Sequence, residues 1–95
     1  MPLYITLLRF TQKGMENVKG SPARLEAAKK IFEQHGGTLK GAWYTLCQYD
    51  LVVVSEFPSD EHYAKGLLAG SAQGFVQGET LRAFTAEEMR SLLGG

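Results

Sequence analysis

Hydrophobic and polar positions along the chain change their period several times, and each change marks an element. Leu3 to Phe10 is aliphatic, aromatic and β-branched without helical spacing, and Thr11-Gln12-Lys13-Gly14 follows it, which predicts a strand and then a break. From Ser21 the spacing becomes helical. Leu25, Ala28, Ile31 and Phe32 recur every three or four residues while Arg24, Lys29, Lys30 and Glu33 face away, with Ser21 as cap, Pro22 at the first position and Gly36-Gly37 as stop. Thr38 to Leu46 and Tyr49 to Phe57 read as two strands joined by a tight hairpin turn at Cys47-Gln48, although neither residue is the glycine such turns prefer. Ser59, Asp60 and Glu61 open a second helix with Tyr63, Ala64, Leu67 and Leu68 as its apolar stripe and Gly70 and Gly74 at its exit. Phe75 to Phe84 reads as a fourth strand, weakened at Gly78. Thr85-Ala86-Glu87-Glu88 then has the capping-box spacing that starts a short last helix, ending in Leu92-Leu93-Gly94-Gly95.

The order βαββαβ plus a terminal helix predicts an α+β, ferredoxin-like fold in one domain spanning residues 1–95, with a four-stranded antiparallel sheet and two helices on one face. The strands carry a further signal. Leu51-Val52-Val53-Val54 is apolar at consecutive positions, as are Leu7-Leu8 and Leu3 to Ile5, so apolar groups point to both sides of the sheet. Two helices cover one face only, and the simplest cover for the other is the same face of a second copy.

Composition narrows the function classes. Ten basic residues balance ten acidic ones in a 95-residue chain that is 44% hydrophobic, which suits one ordinary globular core and carries no electrostatic footprint for nucleic acid. The lone Cys47 cannot form an intramolecular disulfide, so a reducing cytoplasm is expected. The apolar start Met1-Pro2-Leu3-Tyr4-Ile5 lacks a basic lead and a small-residue cleavage site, and Arg9 interrupts it well short of a membrane span. No phosphate-cradling loop or dinucleotide fingerprint occurs, and no metal-ligand spacing joins His35, Cys47 and His62, so neither a cofactor nor a metal is expected.

Tyr4-Ile5 with Arg9-Phe10-Thr11, Ser21-Pro22, Trp43-Tyr44-Thr45-Leu46, Tyr49-Asp50 and Glu79-Thr80-Leu81-Arg82-Ala83-Phe84-Thr85 together resemble the GYD domain family over nearly the whole chain. In place of the family's Gly-Tyr-Asp, or a variant with glycine at the turn, the chain has Cys47-Gln48-Tyr49-Asp50. The resemblance implies a protomer similar to the dimeric α/β barrels, in which two sheets pack face to face and enclose a small cavity. Barrels of that kind include cofactor-independent monooxygenases, isomerases, dehydratases and ligand-binding regulatory domains, and a shared fold does not choose among them.

Candidate chemistry is dispersed. With the hairpin closed at Cys47-Gln48, alternation puts Trp43, Thr45, Asp50, Val52 and Val54 on one face and Ala42, Tyr44, Leu46, Tyr49, Leu51 and Val53 on the other. Asp50 is a candidate general base or ligand-orienting acceptor, against the commoner role of a carboxylate beside a turn, which is to bond backbone. Trp43, Tyr44, Thr45 and Tyr49 are candidate walls of a ligand pocket, against simple packing in a core or interface. Arg9 and Arg82, with Glu79, lie on strands where they would fix an anionic or carbonyl-bearing ligand, against edge solvation or ion pairing. His62, in the first turn of the second helix, is a candidate proton carrier near neutral pH, against a plain surface role. With no evident nucleophile, the expected function is a homodimer, or higher homo-oligomer, that binds or senses a small molecule. The alternatives are a cofactor-independent enzyme using Asp50 or His62, and a structural assembly module.

Overall fold

A pair of central antiparallel strands, β1 (Leu3–Phe10) and β3 (Leu51–Glu56), organises the chain, flanked by β2 (Thr38–Tyr44) beyond β3 and β4 (Val76–Ala83) beyond β1. The computed structural model describes residues 1–94; Gly95, the last residue assigned to the terminal run, lies outside them. Between β1 and β2 come α1 (Gln12–Glu16), a single 3₁₀ turn (Val18–Gly20) and α2 (Ser21–Gln34); α3 (Asp60–Ser71) connects β3 to β4, and α4 (Ala86–Leu92) ends the chain. The order β2-β3-β1-β4, antiparallel throughout, is the expected ferredoxin-like sheet. No helix among the described residues is long and apolar enough to cross a membrane.

Side chains of β1 and β3 sort strictly by parity. Tyr4, Thr6, Leu51, Val53 and Ser55 are buried toward the helices, while Leu3, Ile5, Leu7, Val52 and Val54 on the other face stay half-exposed. Edge strand β2 would put Leu39 and Ala42 on opposite faces, but a bulge at Lys40 reverses the alternation, so both pack against the core. Lys40 in turn reaches Glu56 across the strands, 3.0 Å away.

Phe57, fully buried where β3 gives way to α3, is the centre of an aromatic cluster. Its ring meets Tyr4, Phe32 and Tyr63 edge-on at 6.2, 5.2 and 5.4 Å, and Tyr4 stacks on Tyr63 at 4.2 Å. The stripe of α3 that enters this cluster is Tyr63, Gly66 and Leu67, whereas Ala64 and Leu68 are exposed. Apolarity alone misplaces the stripe because the residue at its middle is a glycine. A β-carbon on Gly66 would lie 3.0 Å from the Phe57 ring, so the missing side chain is what lets α3 settle there.

Two other expectations change. Thr11 to Gly14, read as a break, instead cap and open α1, a helix too short to show periodicity, with the Thr11 hydroxyl accepting from the Gly14 N–H at 3.1 Å. Gly20, not Ser21, is the N-cap of α2. The last helix has its full capping box between Thr85 and Glu88, and that backbone bond holds the Glu88 carboxyl below its ordinary range; Met89, Leu92 and Leu93, expected to dock on the body or on a partner, are exposed on the protomer.

The Tyr4 hydroxyl donates to Asp60 Oδ1 at 2.5 Å, and burial first, then this carboxylate, pushes the phenol from 10.0 up to about 12. The folded protein therefore keeps a proton that the unfolded chain releases, and stability falls as pH rises from 10 to 12. Denaturant melts across that window should show the fall in the wild type and a smaller one in Tyr4→Phe.

Candidate functional site

The aromatic cluster clamps the C-terminal end of α2 and the N-terminal end of α3 to the sheet, and a cavity lies between the two helices and the sheet. Its volume is about 160 Å³. Leu8, Leu51 and Val53 form its floor, Leu25, Ala28 and Ile31 one wall, and Leu67, Gly70, Phe75 and Val76 the other. Those α2 positions are the stripe expected from the sequence, and they are only half-buried because they border this space.

Phe75 is placed by a latch from the segment after β1. Thr11 donates its N–H to the Phe75 carbonyl (3.1 Å) and its hydroxyl to the Gly74 carbonyl (2.6 Å), while Lys13 Nζ reaches the Gln73 carbonyl (2.7 Å). Gly14 makes the close approach possible, since a β-carbon there would sit 2.0 Å from the Phe75 carbonyl oxygen. Two cations flank the ring so positioned: the Arg24 guanidinium at 4.1 Å from the ring centre and the Lys13 ammonium at 4.6 Å.

Arg24 is thus not the outward-facing residue of the helical pattern. It lines the cavity, donates from Nη1 to the Asn17 carbonyl at 2.9 Å, and has its Nη2 sealed from solvent with no acceptor. A buried donor left unpaired costs about 1–3 kcal/mol, more when charged. One turn earlier on α2, Ser21 is 5% exposed and also lines the cavity; its hydroxyl and that of Tyr44 lie 2.8 Å apart. Among the described residues, Arg24 is the only charged one around the cavity, and no Asp, Glu, His or Cys borders it. Among the described residues, no group of three or more His, Cys, Asp or Glu is arranged to hold a metal ion.

A second constellation lies at the same end of the sheet but outside the cavity. β2 and β3 are joined through a loop closed by the Thr45 N–H to Asp50 carbonyl bond at 2.9 Å, so the connection is four residues long and not the two-residue turn expected. A tight turn of the favoured type needs positive φ at two successive residues, and here Cys47 alone has it, at 75°. The Asp50 carboxylate accepts from the Phe10 N–H at 2.9 Å while the Asp50 N–H donates to the Leu8 carbonyl at 2.8 Å, tying the hairpin base to the end of β1. Arg9 lies over the Tyr49 ring at 4.6 Å and donates to the Gln48 carbonyl at 3.0 Å. The Tyr49 hydroxyl bonds the Glu79 carboxylate, which raises the phenol above its ordinary value.

A family model for the GYD domain matches residues 4–93. The chain belongs to the GYD domain family. No curated protein and no solved structure matches it.

Within this GYD domain, Arg9, Thr45, Tyr49 and Asp50 come together at the hairpin base. Trp43 lies opposite Val52 on the helix-free face, and Tyr44 turns to the helix side, in keeping with the alternation read from the strands. Arg82 pairs with Tyr4 at the far end of the sheet and lies over Phe84 at 4.3 Å. His62 is exposed on α3, its Nδ1 2.7 Å from the Ser59 hydroxyl, and is absent from the cavity wall. Ser21, Arg24 and Phe75 are the residues that the sequence reading left out of any site. A cap, a solvent-facing cation and the start of a strand are their ordinary meanings, and only the latch of residues 11–14 onto 73–75 brings them to one cavity.

Because the Asp50 carboxylate bonds backbone forty residues away in sequence, Asp50→Ala should lower stability by about 1–3 kcal/mol in denaturant unfolding. At the tip, Cys47→Gly should raise it by roughly 0.5–1 kcal/mol by removing the left-handed strain, whereas Gln48→Gly should not.

Proposed function

We propose that this GYD domain is a homodimeric small-molecule-binding protein that takes its ligand between α2, α3 and the sheet. The observation that carries this reading is the 160 Å³ cavity with an apolar body and the cationic side chain of Arg24 at its wall. Apolar cavities of roughly 150 Å³ take up molecules the size of benzene. The absence of a nucleophilic thiol, imidazole or carboxylate from the wall favours binding over turnover. Tyr44, one of the residues singled out from the sequence, reaches the site through its bond to Ser21.

Benzene serves as the probe of the cavity. Titration followed by backbone amide NMR should shift resonances of Leu25, Ala28 and Leu67, and Ala28→Phe, which fills the space, should abolish the effect. Unchanged spectra in the wild type would remove the basis of the reading.

The occupant we assign to the open sheet face is a second copy of the chain. Leu3, Ile5 and Leu7 from β1, Val52 and Val54 from β3, Trp43 from β2 and Leu81 from β4 share that face, with Trp43 57% and Leu81 48% exposed. An apolar face contributed by all four strands suits stacking against its own equivalent, with the two sheets about 10 Å apart. Light scattering should give twice the protomer mass, and Val54→Lys, which places a charge at the centre of the face, should give the protomer mass alone.

A further inference from the structure

We infer that the helix-side cavity selects a monocarboxylate with a small apolar body, one aromatic ring or a short alkyl chain, and that Arg24 confers the selectivity. The inference rests on the binding reading above and gives it a ligand class. The polar groups that α2 brings to this space, the Arg24 guanidinium and the Ser21 hydroxyl, can both donate. Arg24 supplies a guanidinium whose Nη1 is bonded and whose Nη2, sealed from solvent, lacks an acceptor. The Ser21 and Tyr44 hydroxyls, 2.8 Å apart, form one bond between them, so the accepting hydroxyl keeps its own hydrogen for a third group. Ser21 and Arg24 stand three residues apart on α2, on one face of the helix.

The charge balance points the same way. Among the described residues Arg24 is the only charge at the wall and no carboxylate side chain borders the cavity to neutralise it; Lys13, also over the Phe75 ring, adds a second positive group. A carboxylate supplies an anion and acceptor lone pairs for both sets of donors, and its bonds to a guanidinium are among the stronger ones in proteins. Most of the remaining lining, Leu8, Leu51, Val53, Ile31 and Phe32 among it, is apolar, with Thr6, Ser71 and Gln73 its other polar side chains, and the 160 Å³ holds about one ring. A ligand polar all round would bury most of its polar groups against those aliphatic side chains without partners.

Isothermal titration of the full chain with benzoate and benzyl alcohol, and with hexanoate and hexanol, tests this. Each acid should bind at least about tenfold more tightly than its alcohol, Arg24→Met should remove the preference, and Ala28→Phe should abolish binding of all four. Equal affinity for acid and alcohol in the wild type would overturn the carboxylate inference and leave the cavity reading standing. Failure of all four to bind, or binding indifferent to Ala28→Phe, would overturn both. The wild-type comparison needs no variant to fold, so the inference is falsifiable even if Arg24→Met is unstable.

Discussion

The burial of Phe57 is the constraint on which the rest of this structure depends. The ring stands where the chain leaves the sheet to enter α3, and it is held by Tyr4 from β1, Phe32 from α2 and Tyr63 from α3. Aromatic packing of this density pins both helices to the sheet at one end, with Gly37 and Gly66 clearing the space the ring occupies. The other end has no such anchor. There the layer between helices and sheet is filled by Leu, Ile, Val and Ala side chains too small to close it, and the cavity is the remainder.

The same end of the sheet carries a different set of restraints on each side. On the helix side, Thr11, Lys13 and Gly14 hold the Gln73–Phe75 backbone and so keep Phe75 between two cations. At the hairpin base, Asp50 ties β1 to β3 through backbone bonds to Phe10 and Leu8, which also fixes Leu8 and Leu51 in the cavity floor. Asp50 thus bears on the cavity through the strands that carry the floor, without lining it. Of the two residues that the family motif shares with this chain, Tyr49 and Asp50, the latter bonds backbone on β1, and the polar side chains that border the cavity lie outside that motif.

Element types were legible in the sequence wherever a local rule dictated them. The β-branched runs made strands, Pro22 and the Gly36-Gly37 stop bounded α2, Ser59 and the Thr85/Glu88 box capped their helices, and consecutive apolar residues in Leu51–Val54 announced a sheet with two apolar faces. Each of these follows from neighbours within a turn or a strand pair. The family resemblance read from the same residues holds over residues 4–93.

What only the tertiary structure decided are the features that depend on residues far apart in the chain. The bulge at Lys40 brings Leu39 and Ala42 to one face against their parity, because both have a core to enter. Gly66 replaces an apolar residue in the buried stripe of α3, because its partner is a ring that already fills the space. Arg24 has a solvent-facing position in the helical repeat, yet the latch of residues 11–14 brings Phe75 against it and closes it in. Periodicity describes an isolated helix, and it assigns Arg24 to water; the cavity exists because a loop some fifty residues away covers that side of the helix, which no local pattern records.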